Sequence, residues 1–113
     1  MEDIMYRPIH GEMHSSDFIF DKFRHELHVT LYTGNKKVVY VRDILDIPIT
    51  TIKTSSFQGM TETKIIILDE HVNIIENDAF CGLEDVTVYS PLFKESVEFH
   101  EDGNQNVTFR YEL

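Results

Sequence analysis

Ile49-Thr-Thr-Ile52-Lys-Thr-Ser55-Ser56-Phe57-Gln-Gly59-Met60, laid over Val72-Asn-Ile-Ile75-Glu-Asn77-Asp78-Ala79-Phe80-Cys81-Gly82-Leu83, decides how this chain is read. The two windows stand 23 residues apart, and an apolar residue, an Ile, a Phe, a Gly and a closing apolar residue coincide without a gap. A β-branched run follows each window, Ile65-Ile-Ile-Leu68 after the first and Val86-Thr-Val-Tyr89 after the second, and such runs favour a pleated surface. Each unit therefore reads as a short strand, a Phe-anchored turn or helical turn closed by Gly, and a second strand. One unit cannot bury its own apolar face, whereas stacked units share a continuous core, so the reading is a solenoid. Ile52 is expected on Ile75 and Phe57 on Phe80, with 38–41, 65–68 and 86–89 as successive rungs. Glycine supplies the left-handed conformation that ends each turn, and Ser55 and Asn77 or Asp78 are expected to cap its start.

Working outward, residues 1–16 mix single apolar residues with Pro8, Gly11, charges and two histidines, and read as a loosely held arm. From 17 to 48 an N-terminal hairpin or cap is expected. Phe18, Phe20, Leu27, Val29 and Leu31 recur at a spacing of two, and Thr33-Gly34-Asn35-Lys36 has turn chemistry leading into Val38–Val41. The two repeats fill 49–91. A C-terminal cap occupies 92–113, read as a short amphipathic helix over 92–100, a break at Asp102-Gly103-Asn104 and a closing strand over 107–111.

The chain has 113 residues, which sets a limit of one domain. Area scaling for a chain of 13.3 kDa leaves about 6,500 Å² exposed of roughly 19,300 Å², so a core forms without a staple. The single cysteine, Cys81, excludes an internal disulfide framework and reads as a small buried hydrophobe. No basic, apolar leader opens the chain and no run is long enough to span a bilayer, so a cytoplasmic protein without membrane contact is expected.

The formal net charge is -10, and it is unevenly spread. Residues 1–61 hold eight acids and seven bases, net -1, whereas residues 62–102 hold eleven acids and two lysines, net -9. Such a field repels phosphates, so direct nucleic-acid binding is disfavoured and a basic protein partner is permitted. The carboxylates of Glu62, Asp69, Glu70, Glu84 and Asp85 lie near the turns of successive repeats and are expected to form one contiguous partner-binding field.

Catalytic chemistry is not legible. Nucleophile-elbow, P-loop and dinucleotide patterns are missing, and Cys81 has no flanking cation. His10 and His14 have helical metal spacing, but Pro8 and Gly11 break a helix there and no third ligand completes a site, so no metal or other cofactor is expected.

Val72-Asn-Ile-Ile75-Glu-Asn-Asp-Ala79-Phe80-Cys-Gly82-Leu83-Glu-Asp-Val86-Thr-Val88 resembles a repeat of the BspA-like leucine-rich repeat proteins, and Ile47-Pro48-Ile49-Thr-Thr-Ile52 resembles its entry segment. The resemblance extends from about 18 to 111, with Ser56 standing where the family has Ala. It implies a mainly β, leucine-rich-repeat-like solenoid with short helical turns that recognises proteins or ligands on an exposed sheet and is not an enzyme. Three functions follow from the combined reading. The first is a non-catalytic module binding a protein through its sheet or acidic edge. The second is a small acidic inhibitor of phage or mobile-element type, anti-CRISPR-like, occupying the basic nucleic-acid channel of an enzyme. The third is a homo-oligomer joined through its solenoid edges.

Overall fold

Parallel pairing between equivalent positions of successive coils builds the molecule. The computed structural model describes residues 11–15, 17–42, 46–57 and 62–111. Among these residues ten strands lie in order: β1 (Gly11–His14), β2 (Phe18–Lys22), β3 (Leu27–Tyr32), β4 (Val38–Val41), β5 (Ile49–Ile52), β6 (Ile65–Leu68), β7 (Ile74–Ile75), β8 (Val86–Ser90), β9 (Glu98–Phe99) and β10 (Val107–Tyr111). They form two sheets. Sheet A has the order β1-β2-β3-β5-β7-β9 and sheet B the order β10-β8-β6-β4, so the chain alternates between sheets and winds as a β-solenoid of about three turns. Val38, Ile65, Thr87 and Thr108 lie in register across sheet B, and Ile52 lies opposite Ile75 in sheet A.

The inward residues of each strand make the core. Ile52, Phe57, Ile66, Ile75, Phe80 and Val88 are fully buried, as the repeat requires. Aromatic rings run down the axis: Tyr32 stacks on Phe57 with centroids 5.3 Å apart, Phe57 meets Phe80 at 5.5 Å, and Phe18 closes the column at 5.1 Å from Tyr32. Ser56 is buried, and its hydroxyl donates to the Val29 carbonyl of the preceding coil at 2.9 Å.

The turns after β5 and β7 are irregular rather than helical. Ser55 and Asp78 occupy matching left-handed positions (φ 62° and 59°), and the Ser55 N–H donates to the Asp78 carbonyl at 2.8 Å. These two residues thus bend the backbone and link coils instead of capping a helix. Gly82 takes the expected left-handed conformation (φ 93°), while Gly59 lies outside the described residues.

Four expectations are corrected. The N-terminal hairpin exists, but β2 and β3 form it; Thr33–Lys36 turns a corner from sheet A to sheet B, so β3 and β4 do not pair. Gly34 makes room there, since a Cβ would lie 2.5 Å from the Tyr32 hydroxyl, which accepts from the Lys36 N–H. Within the supposed arm, Gly11–His14 is a strand antiparallel to β2, because main-chain bonds need no long apolar pattern; His10 and the rest of 1–10 lie outside the described residues. The 92–100 helix is reduced to one 3-10 turn, Lys94–Ser96, followed by β9. Val97 is buried, and the Glu98 and His100 N–H groups donate to the Asn73 and Ile75 carbonyls, so pairing to the coil above prevails over helical spacing. The cap is therefore a further coil, with β10 parallel to β8. Lastly, Cys81 is half-buried, with its sulfur 3.7 Å from the Ser55 hydroxyl.

Asn104 stands in this last coil beneath Phe80. It is 2% exposed, accepts from the Phe80 N–H at 2.9 Å, and donates to the carbonyls of Glu76 and His100 at 2.9 and 2.7 Å. One side chain thereby satisfies three backbone groups.

Phe57→Ala and Phe80→Ala should each destabilise the fold by about 3–5 kcal/mol, because a buried ring is lost and a cavity remains. Denaturant midpoints measure this, and midpoints near the parent's would disprove the column. Asn104→Ala should cost about 1–3 kcal/mol through the groups it orphans, with β9 and β10 losing amide-exchange protection before β5 and β7.

A third outcome concerns Glu26, whose carboxylate bonds to the His28 ring at 2.5 Å and accepts from the Thr50 hydroxyl at 3.0 Å. The His28 bond, aided by Thr50, holds its pKa below the ordinary value of 4.5. A depressed carboxyl stabilises the fold above its unfolded-state value and loses that contribution as pH falls through the folded-state value. The stability difference between parent and Glu26→Gln should therefore be small and shrink as pH drops below 4.5, as read from melting temperatures across that window.

Candidate functional site

The outward residues of sheet B form an ordered apolar surface. Pairing register sets Val38 beside Ile65 and Thr87 in one row, and Tyr40 beside Ile67 and Tyr89 in the next. Val38 and Tyr40 are 38% and 48% exposed, and Ile65, Ile67, Thr87 and Tyr89 are half-buried. The Arg42 guanidinium sits 4.2 Å above the Tyr40 ring, which holds that ring at the edge of the face. Sheet A presents a more mixed outer surface, with His28, Thr30, Thr50 and Glu98 alongside Ile19, Leu31 and Ile74. The two sheets thus differ in what they offer to a partner.

Acidic residues stand at both ends of the sheet B strands, and the register divides the five expected carboxylates into two groups. Glu62 precedes β6, and Glu84 and Asp85 precede β8, so these three share the corner where the chain enters sheet B. The Lys64 ammonium lies in that corner and donates to the Glu84 carbonyl at 3.2 Å. Asp69 and Glu70 follow β6 and occupy the opposite corner, about 13 Å away along a four-residue strand. The single contiguous field is therefore two fields, because residues at the start and end of parallel strands cannot share one edge. Asp69 accepts from the Glu70 N–H at 2.8 Å, and the Glu70 carboxylate lies 3.7 Å from the His71 ring.

The fold brings four further acids to the first corner. Glu76, Asp78, Glu101 and Asp102 all lie in the passages that follow β7 and β9, and the Asp78 N–H donates to the Asp102 carbonyl at 2.7 Å. Glu76 serves structure, since its carboxylate accepts from the Thr54 N–H at 3.0 Å. On the same corner nearer the N-terminus stand Lys36, Lys37 and Lys64, and Lys36 pairs with Asp17 at 3.0 Å. Charge on this corner hence changes sign along the solenoid axis.

The apolar face was hidden in the sequence. Ile65-Ile66-Ile67-Leu68 is an unbroken apolar run, which ordinarily signals a strand buried on both sides; here only Ile66 and Leu68 point inward and are buried. Alternation in Val86-Thr-Val-Tyr-Ser90 was the available signal, since Thr87 and Tyr89 mark the outward side.

Among the described residues, no group of three or more His, Cys, Asp or Glu side chains is arranged to hold a metal ion, and no helix is long and apolar enough to cross a membrane. Histidines and glutamates instead pair at a spacing of two, as in His14 with Glu12 at 3.3 Å and His100 with Glu98 at 2.7 Å.

Comparison of the chain with protein-family models, with curated proteins and with solved structures finds no match.

Proposed function

We propose that this chain is a non-catalytic protein-interaction module that docks a partner on the outer face of sheet B. The observation that carries this reading is the pair of outward rows formed by the exposed Val38 and Tyr40 and the half-buried Ile65, Ile67 and Tyr89, with Glu62, Glu84 and Asp85 at one end and Asp69 and Glu70 at the other. An aromatic and aliphatic centre with a charged rim has the anatomy of a protein interface, in which the centre supplies affinity and the rim supplies rate and register. Acids at both rims favour a partner with basic residues flanking an apolar patch. The resemblance of 72–88 to a BspA-like repeat supports the same use, recognition on an exposed sheet.

A partner captured with the parent chain provides the test. Tyr40→Glu with Ile67→Glu should abolish capture while leaving the melting temperature close to the parent's, since neither residue faces the core. Converting Asp69, Glu70, Glu84 and Asp85 to their amides should leave the bound complex largely intact, slow association at low salt and flatten its salt dependence. Undiminished capture by the Tyr40/Ile67 variant overturns the sheet-face reading. Equal rates and equal salt slopes for parent and amide variant remove the basic partner.

A further inference from the structure

The last coil carries an inward row that the coils above bury and it does not. Val86, Val88 and Ile75 are at most 1% exposed, yet the residues in register one coil further on, Val107, Phe109 and Phe99, are only half-buried, as is Tyr111. Their rings form one cluster, with Phe99 to Phe109 at 4.8 Å and Phe109 to Tyr111 at 4.7 Å. Among the described residues, no strand pairs with the outer edges of β9 and β10. The other end of the solenoid is closed, because β1 and β2 continue sheet A past β3, and Phe18 and Phe20 there are 8% and 0% exposed.

The free edge is competent to bond. Each residue of a parallel ladder turns both its N–H and its C=O to one neighbour. Thr87 donates to the Lys64 carbonyl and so faces β6, which turns Val88 toward β10 and engages Thr108 and Arg110 there. The N–H and C=O of Phe109 consequently point away from β8, beside its half-buried ring. Among the described residues, the exposed charges around this edge are Glu95, Glu98, Glu101 and Asp102 against Lys94 and Arg110. Burial pushes the Tyr111 phenol pKa up, with the negative field of Glu101 adding to it, so that carboxylate acts on the cluster.

We propose that β10 accepts, by strand addition, an extended segment of another protein that alternates apolar and polar residues and carries basic flanks. Its apolar side chains would cover Phe99, Phe109 and Tyr111, completing the core as the next coil would, and its flanks would meet the acids at the two strand ends. A second copy of this chain does not fit the site. Tail-to-tail pairing of two copies would set one acidic end, with its exposed Glu95, Glu98, Glu101 and Asp102, against another, a like-charge arrangement. Head-to-tail pairing would need β4, which stands back from the end because β1 and β2 project two strand widths, about 10 Å, beyond β3 in sheet A. This site is separate from the outer face of sheet B and stands or falls on its own observations.

The probe is a short peptide of alternating valine and threonine with a lysine pair at each end, titrated into the whole chain at low salt and followed by backbone NMR. Expected are shifts confined to β9 and β10, slowed exchange of the Phe109 amide, and no response to the same peptide with glutamate flanks. Glu98→Gln with Glu101→Gln and Asp102→Asn should weaken the lysine-flanked peptide about tenfold without altering the amide pattern of β5 to β8. Phe109→Thr should weaken it further, and unchanged β5 to β7 shifts in that variant exclude loss of the fold. Shifts at Tyr40, Ile67 and Tyr89 with β10 unmoved would overturn strand addition while leaving the sheet-face module intact. Absence of any shift, or equal affinity for all variants, would also overturn it. Shifts of β10 that grow with protein concentration alone would assign the edge to a second copy instead.

Discussion

Everything in this molecule depends on equivalent side chains of successive coils lying directly over one another. A four-residue strand such as β4 or β6 fixes backbone entropy that its own contacts cannot offset, and only the neighbour above and below makes up the difference. The Phe18, Tyr32, Phe57 and Phe80 column supplies much of that gain, since each ring touches the next. Main-chain bonds follow the same repeat: Lys53 donates to Val29, Glu76 to Ile52 and His100 to Ile75, each one coil apart. Register and core therefore specify each other, because a slip by one residue would turn every inward side chain outward.

A column must end, and the two ends are resolved by different chemistry. At the N-terminal end an antiparallel hairpin covers the rings with Phe18 and Phe20, so apolar surface meets apolar surface. At the C-terminal end the Phe position is taken by Asn104, whose amide meets backbone donors and acceptors that another coil would otherwise satisfy. Gly103 is tied to the same device, since a Cβ there would fall 1.6 Å from the Asp78 carboxylate and the residue is left-handed (φ 77°). An amide plug closes the aromatic column but contributes no apolar cover to the neighbouring cluster of Phe99, Phe109 and Tyr111.

These endings explain what the sequence disclosed. The windows at 49–60 and 72–83 share a gapless spacing of 23 and the Phe and Gly markers, so the solenoid, its rungs and the Phe57–Phe80 contact were readable from residues, although the strands that follow pair at an offset of 22. The last coil was not, because Gly103-Asn104 replaces the Ala79-Phe80 pair and the spacing drifts, 24 residues from Ile75 to Phe99 but 21 from Val88 to Phe109. Gly34-Asn35 misled for a different reason, since the same dipeptide that closes a hairpin also admits a bulky Tyr32 ring at a corner. Acidic residues were visible as a composition, yet their grouping depends on which strand end they occupy, and that follows only from parallel pairing.

Parallel winding has one further consequence for recognition. Because coils stack in chain order, a charge gradient along the sequence becomes a charge gradient in space: Lys36, Lys37 and Lys53 lie on the early coils, whereas Glu84, Asp85, Glu98, Glu101 and Asp102 lie on the late ones. An antiparallel meander of the same composition would interleave the two and cancel the field at short range. Here the field survives as a gradient along the axis, so the basic partner we propose would be steered toward the late coils before any apolar contact forms. Steering and apolar capture would then act at neighbouring places, because the half-buried Phe99, Phe109 and Tyr111 and the Tyr89 end of sheet B belong to those same coils.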